Sequence, residues 1–433
     1  MNNFFNNSIL KRIAMYAISD GVSKALPFLV FPVIAYYLTT AEFGLISNFN
    51  VMVGFMGPFV GLSTNSALSV NFYKIDLNKK VSYYANLVYL NLALFLFCTI
   101  VLVSFHSTIT NFSGYRLEWQ FLALLCVFFI PITSLYTTKL QLEEKARLFG
   151  YFQIFTSLIN VFFVYLFVVV LRQSWQGRIF GIVLSSVIPG LVATYFTIIF
   201  FKFPLPKLDL HIIKSTFKFG LPLLPHNFSY WLKSGFEKLF ITSAVGLSAN
   251  GFLSFAQTIS AVFFIISNSF FGAFSPYLFK NLAEIEKNDN QERKIDLVKK
   301  SYIFLMIFFI ILIAGYFFSV ILIKNYFIKF EESLNYLPFF LGFNFFNAVY
   351  AIFSGYIFYT KSTKFLGIVT LSTALIQVLL TILFVKYFST LGAVLANFIT
   401  SILTAVLVII YSNKKFKMPW LYFIKNEKKF ILF

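Results

Sequence analysis

Twelve apolar runs, each of about twenty residues or more, constrain this chain more than any motif in it. They lie at roughly 9–37, 43–66, 83–105, 118–138, 150–171, 179–201, 219–245, 251–274, 301–323, 335–358, 365–387 and 391–411. A run of about twenty apolar residues crosses a hydrocarbon core as a helix, and in lipid every backbone group must be satisfied internally, which leaves helices for segments of this kind. The expected fold class is all-α: a polytopic membrane protein with twelve transmembrane helices in two pseudo-symmetric six-helix lobes. Composition points the same way, with 62 of 433 residues Phe and 12% charged, against roughly 25% charged in soluble domains. The first run is too long for a signal-peptide core and is read as a retained span.

The net charge of +19 raises nucleic acid as a partner, and its distribution answers that. With the N-terminus inside, 26 Lys and Arg fall at cytoplasmic positions and six outside (Arg116, Arg172, Arg178, Lys324, Lys329, Lys386). That bias is the positive-inside pattern. It implies a multi-pass membrane protein with both termini cytoplasmic, attraction to anionic membrane lipids and no nucleic-acid partner.

The proline-bearing stretch 202–216 divides the chain into an N-terminal lobe (1–207, spans 1–6) and a C-terminal lobe (208–411, spans 7–12), followed by a basic-aromatic tail (412–433) read as an interfacial anchor. Sliding the halves by 207 positions sets "GLISNFN" (44–50) on "GFLSFAQ" (251–257) at the start of the second span of each half. An even number of spans per half makes such a repeat parallel, as in many secondary transporters. The longest loop is 276–300 on the inside, which leaves little room for an extramembrane active site. No Gly-Lys dipeptide, His-Glu-x-x-His, Cys-x-x-Cys or Gly-x-Ser-x-Gly occurs, so the chain reads as a non-enzyme without cofactor or metal, driven by a gradient. Cys98 and Cys126 read as packing residues.

Five charges remain inside the spans: Asp20 and Lys24 in the first, and Lys233, Glu237 and Lys238 in the seventh, within "SYWLKSGFEKLFI". Each such residue costs about 2.5–3.5 kcal/mol in lipid, so they face a hydrated interior or one another. Asp20 and Lys24, and Lys233 and Glu237, are each four apart and share a helical face. Two readings are open. Each pair is a self-neutralised bridge locking its helix, or the lysines form an anion site with Asp20 and Glu237 as ion-pairing or proton-coupling groups. Asn48, Asn50, Asn65 and Gln257 either line the same cavity or hydrogen-bond between helices. Pro27, Pro32, Pro222 and Pro225 are candidate hinges, with Pro58, Pro131 and Pro189 further kink positions.

Three stretches carry a likeness. "DGVSKALPFLVFPVIAYYLTTAEFGLIS" (20–47) has an opening span with prolines and an acidic-aromatic-Gly step. "FKFGLPLLPHNFSYWLKSGFEKLFI" (217–241) has a Gly-x-Pro start and an acid followed by a base. "GLSANGFLSFAQ" (246–257) is a second-half turn. With these and its twelve-span layout, the chain resembles the polysaccharide transporter (O-antigen flippase) family of the multidrug/oligosaccharidyl-lipid/polysaccharide flippase superfamily. The resemblance implies movement of an undecaprenyl-diphosphate-linked oligosaccharide repeat unit from the cytoplasmic to the periplasmic leaflet by alternating access, with O-antigen or a similar surface polysaccharide as product. It implies Lys24, Lys233, Lys238, Asn48, Asn65 and Gln257 as diphosphate and glycan contacts, and other surface-polysaccharide assembly proteins as partners. The alternative is a cation-coupled multidrug exporter of the same superfamily, which the lysine excess disfavours.

Overall fold

The computed structural model describes residues 30–199, 206–288 and 290–422, with isolated positions 15, 19, 21, 23 and 26 of the first span. Among these residues every regular element is helical. The order is α1 (30–37), α2 (Thr40–Gly61), α3 (Thr64–Asn71), α4 (Lys80–Ser104), α5 (His106–Ser113), α6 (Leu117–Leu142), α7 (Ala146–Val164), α8 (Ser174–Thr194), α9 (Leu210–Gly220), α10 (Leu224–Ser234), α11 (Phe236–Ala244), α12 (Leu247–Asn288), α13 (Gln291–Tyr326), α14 (Leu337–Tyr359), α15 (Thr363–Phe388) and α16 (Thr390–Lys415). Ten of them are long and apolar enough to cross a membrane. Of the twelve expected runs, the first lies mostly outside the described residues and the seventh is broken into α9, α10 and α11, so the all-α, many-span expectation holds.

The chain packs as two compact units, Met1–Gly251 and Phe252–Phe433. In the first, Leu87 of α4, Ile132 and Leu135 of α6 and Phe149 of α7 form one buried cluster, while Phe49, Tyr115, Cys126 and Ile179 form another. In the second, Leu278, Leu282, Leu297, Ile352, Tyr356 and Val408 build the core from α12, α13, α14 and α16. Lipid tails are as apolar as these side chains, so the helices associate through close packing and interhelical hydrogen bonds.

Local chemistry explains where α2 begins. Thr39 caps it, and Glu42 reaches back to the Thr39 amide at 2.8 Å, closing a capping box. Glu42 also accepts from the hydroxyl of Ser174 at the start of α8. Two residues on, Gly44 lies against the backbone of α12's first turn: a Cβ there would run into the Leu247 carbonyl oxygen, and a Cβ on Gly251 would run into that of Thr40. Gly44 and Gly251 are 207 positions apart, as are Thr40 and Leu247, so the repeat read in the sequence packs reciprocally on itself.

Three segments depart from expectation. The stretch 276–300, read as a loop, is helical over 276–288 and again over 291–300. Asn290 caps α13, Arg293 pairs with Glu284, and Lys300 with Asp296 at 2.7 Å. Polarity there marks where lipid contact ends, not where the helix ends. Within 202–216, read as the divider between the lobes, α9 starts at Leu210 under an Asp209 cap that accepts from the His211 amide at 2.9 Å. The tail, read as an interfacial anchor, folds inward over its described part: Trp420 packs 4.4 Å from the Phe353 ring, and its carbonyl accepts from Tyr302 at 2.7 Å.

Candidate functional site

The seventh span is a chain of short helices because of its prolines and one glycine. Pro222 sits in the 3-10 turn Leu221–Leu223 after α9, and Pro225 in the first turn of α10. Both lie at helix starts, where a missing N–H removes no helical bond. Gly220 just before them passes so close to Leu62 that a Cβ would strike its carbonyl oxygen, which gives the Gly-x-Pro start a steric reason. Gly235 then separates α10 from α11. Its carbonyl is shared by the amides of Lys238 and Leu239 at 3.2 and 3.3 Å, and its missing Cβ makes room for the indole of Trp231, 2.6 Å from where that atom would lie. Trp231 donates to the Val51 carbonyl of α2 at 3.0 Å and rests on Phe55 and Phe228. Lys233 and Glu237 thus stand on consecutive helices, one on either side of Gly235.

Two cavities of the first unit border these helices. One, of about 520 Å³, is apolar, with walls that include Met52, Phe55, Phe59, Phe97, Trp231 and Phe240. The other, of about 340 Å³, is the more polar of the two: Ser63, Thr64, Asn65, Ser66, Ser134 and Asn227 line it beside Pro58, Leu62, Ile130 and Pro131. It forms where α2 gives way to α3, and there Leu62 and Ser63 both adopt left-handed backbone, φ 39° and 52°. Neither is glycine, and such positions cost about 1–3 kcal/mol each, strain that concentrates at functional sites. Asn227 spans the gap, its amide 3.4 Å from the Ser63 hydroxyl.

The predicted residues separate. Asp20, Lys24 and Pro27 lie outside the described residues. Pro32 is exposed on α1. Asn65 lines the polar cavity. Asn48 is fully buried. Its amide donates to the Ser113 carbonyl and the Thr242 hydroxyl, both at 3.0 Å, and its oxygen accepts from Asn250 at 2.8 Å. That knot ties α2 to α5, α11 and the first turn of α12, the hydrogen-bonding option of the two the sequence left open. Gln257 is half-buried on α12 in the second unit. Lys233 and Lys238 are half-buried on α10 and α11, and Glu237 on α11 is 1% exposed. Sequence reasoning missed Asn227, Ser134 and Trp231. The four-residue step from Asn227 to Trp231 was the available signal, since it sets both on one face. Among the described residues no group of three His, Cys, Asp or Glu side chains is placed to hold a metal.

The chain is thus a helical, multi-pass membrane protein whose first unit holds an apolar and a more polar cavity beside a broken helix. The chain belongs to the polysaccharide biosynthesis protein family, whose profile matches residues 9–282. It is similar to a Haemophilus influenzae protein of the Lsg locus, 23% identical over 296 residues, 64% of this chain and 67% of that one. Among solved structures it is similar to an inward-facing multidrug resistance MATE family transporter of the MOP superfamily, at 16% identity and TM-score 0.73, covering 94% of this chain and 95% of that one. It is also similar to the lipid II flippase MurJ in an inward closed conformation, at 15% identity and TM-score 0.70, covering 93% and 87%. At these identities the likeness to the solved structures is one of fold.

Proposed function

We propose that this protein is a flippase, and not an enzyme, that carries an undecaprenyl-diphosphate-linked oligosaccharide repeat unit from the cytoplasmic to the periplasmic leaflet of a bacterial inner membrane by alternating access. The observation that carries the reading is the neutral polar cavity at the α2–α3 break, in a chain of a polysaccharide biosynthesis family. A sugar is a dense array of hydroxyl groups, and burying each without a partner costs roughly 2–7 kcal/mol. Hydroxyl and amide side chains supply both donors and acceptors for such a head group, without the net charge that would trap it.

Other features fit the remaining parts of that substrate. The lysines of the seventh span, Lys233 and Lys238, with Lys24 of the first, are the diphosphate contacts in this reading, and Asp20 and Glu237 their ion-pairing or proton-coupling partners. The apolar cavity accommodates the first isoprene units while the rest of the tail stays in lipid. Pro222 and Pro225, with Pro27 and Pro32, are the hinge positions. The product is O-antigen or a similar surface polysaccharide, handed to other assembly proteins.

A second reading draws on the same apolar cavity, whose Met, Phe and Trp walls also suit a lipophilic drug cation. Deletion of the gene and complementation with variants separates the two. In the flippase reading, deletion abolishes the surface glycan, wild type restores it, and Asn65→Leu/Asn227→Leu and Lys24→Ala/Lys233→Ala fail to restore it at equal membrane abundance. An intact glycan in the deletion strain, with heightened sensitivity to lipophilic cations, would instead make the protein a drug exporter.

A further inference from the structure

A third cavity, of about 200 Å³, lies between the start of α4 and the end of α6, at the end of the bundle that the lysine distribution assigns to the cytoplasm. Three lysines line it, Lys80, Lys139 and Lys145, against one carboxylate, Glu143. Glu143 pairs with Lys145 at 2.7 Å and stands 3.9 Å from Lys139. Lys80 is held 3.7 Å over the ring of Phe72, a contact that fixes its position and leaves its charge intact.

Other features favour the same kind of ligand. Lys139 keeps only 15% of its side chain exposed, an unusual degree of burial for a lysine. Leu68, Phe72 and Tyr84 supply an apolar wall. The volume equals roughly six or seven water molecules' share of liquid: room for a phosphate group and the carbons next to it, not for an oligosaccharide.

We infer that this cavity binds a phosphate group, separately from the transport path. Two sources present that chemistry at a cytoplasmic membrane surface, the headgroup of an anionic phospholipid and free phosphate, and basic pockets between membrane helices on this side are suited to lipid headgroups.

The test uses the full-length protein, delipidated in neutral detergent and titrated with phosphatidylglycerol by native mass spectrometry and with inorganic phosphate by calorimetry. Lys80→Gln/Lys139→Gln weakens phosphatidylglycerol binding about 25-fold, near fivefold per lysine. The equal-charge control Lys280→Gln/Lys287→Gln on α12, whose lysines are exposed, leaves it unchanged. Glu143→Gln tightens it by removing the competing carboxylate. Parallel loss of inorganic phosphate binding makes free phosphate a ligand as well, and loss confined to phosphatidylglycerol makes the source the lipid. Wild-type affinity in a monodisperse Lys80→Gln/Lys139→Gln protein, or an equal loss in the control, overturns the inference. Should that double variant fail to fold, Glu143→Gln decides alone, since unchanged binding there also overturns it.

Discussion

Gly44 and Gly251 each leave no room for a methyl group, because the carbonyl oxygens of Leu247 and Thr40 occupy that space. Overpacking a tight contact typically costs about 1–3 kcal/mol. Gly44→Ala and Gly251→Ala should each lower the melting temperature in detergent, whereas Gly57→Ala, with open space around it, should not. Thr39→Ala removes the cap of α2 and should cost about 1 kcal/mol in the same assay. At this scale the sequence was legible as a pattern without a cause. The acidic-aromatic-Gly step was visible, but that Glu42 closes a capping box, Phe43 is buried and Gly44 is a crossing point depends on contacts with distant residues. Asn48 shows the same limit: its partners Ser113, Thr242 and Asn250 lie far along the chain, so nothing in its own segment distinguishes a knot from a cavity wall.

Among the elements, hydropathy located spans well and their ends poorly. Apolar runs report where lipid is, while a helix persists for as long as its backbone bonds and caps hold, which is why α12 and α13 extend through residues read as loop. The seventh span failed in the opposite direction. Its composition is membrane-grade throughout, but two prolines and Gly235 divide it, and the division carries the candidate site. Trp231→Phe keeps the stacking on Phe55 and Phe228 and loses the bond to the Val51 carbonyl, so it should cost about 0.5–1.5 kcal/mol. Gly235→Ala forces the indole aside and should impair transport more than it lowers melting temperature. Equal transport at equal abundance for Gly235→Ala would show that the break is mere packing.

For the molecule as a whole, family and fold class were legible because they rest on properties summed over hundreds of residues: the number of apolar runs, the sidedness of lysine, and three separated motif stretches. The site was legible only in part. Charges inside spans and Asn65 drew attention because they are conspicuous in apolar sequence, whereas the strained turn at Leu62–Ser63 and the polar cavity around it arise from backbone geometry that no local composition announces. Movement of a lipid-linked oligosaccharide between leaflets is measured with purified protein in sealed vesicles loaded with that lipid. Loss of the head group's accessibility to an external glycan-cleaving enzyme is then followed over time. Exchange between leaflets is expected with wild-type protein, and strongly slowed exchange with Asn65→Leu/Asn227→Leu. Exchange no faster than in protein-free vesicles, from a folded wild-type protein supplied with an ion gradient, would contradict the flippase function.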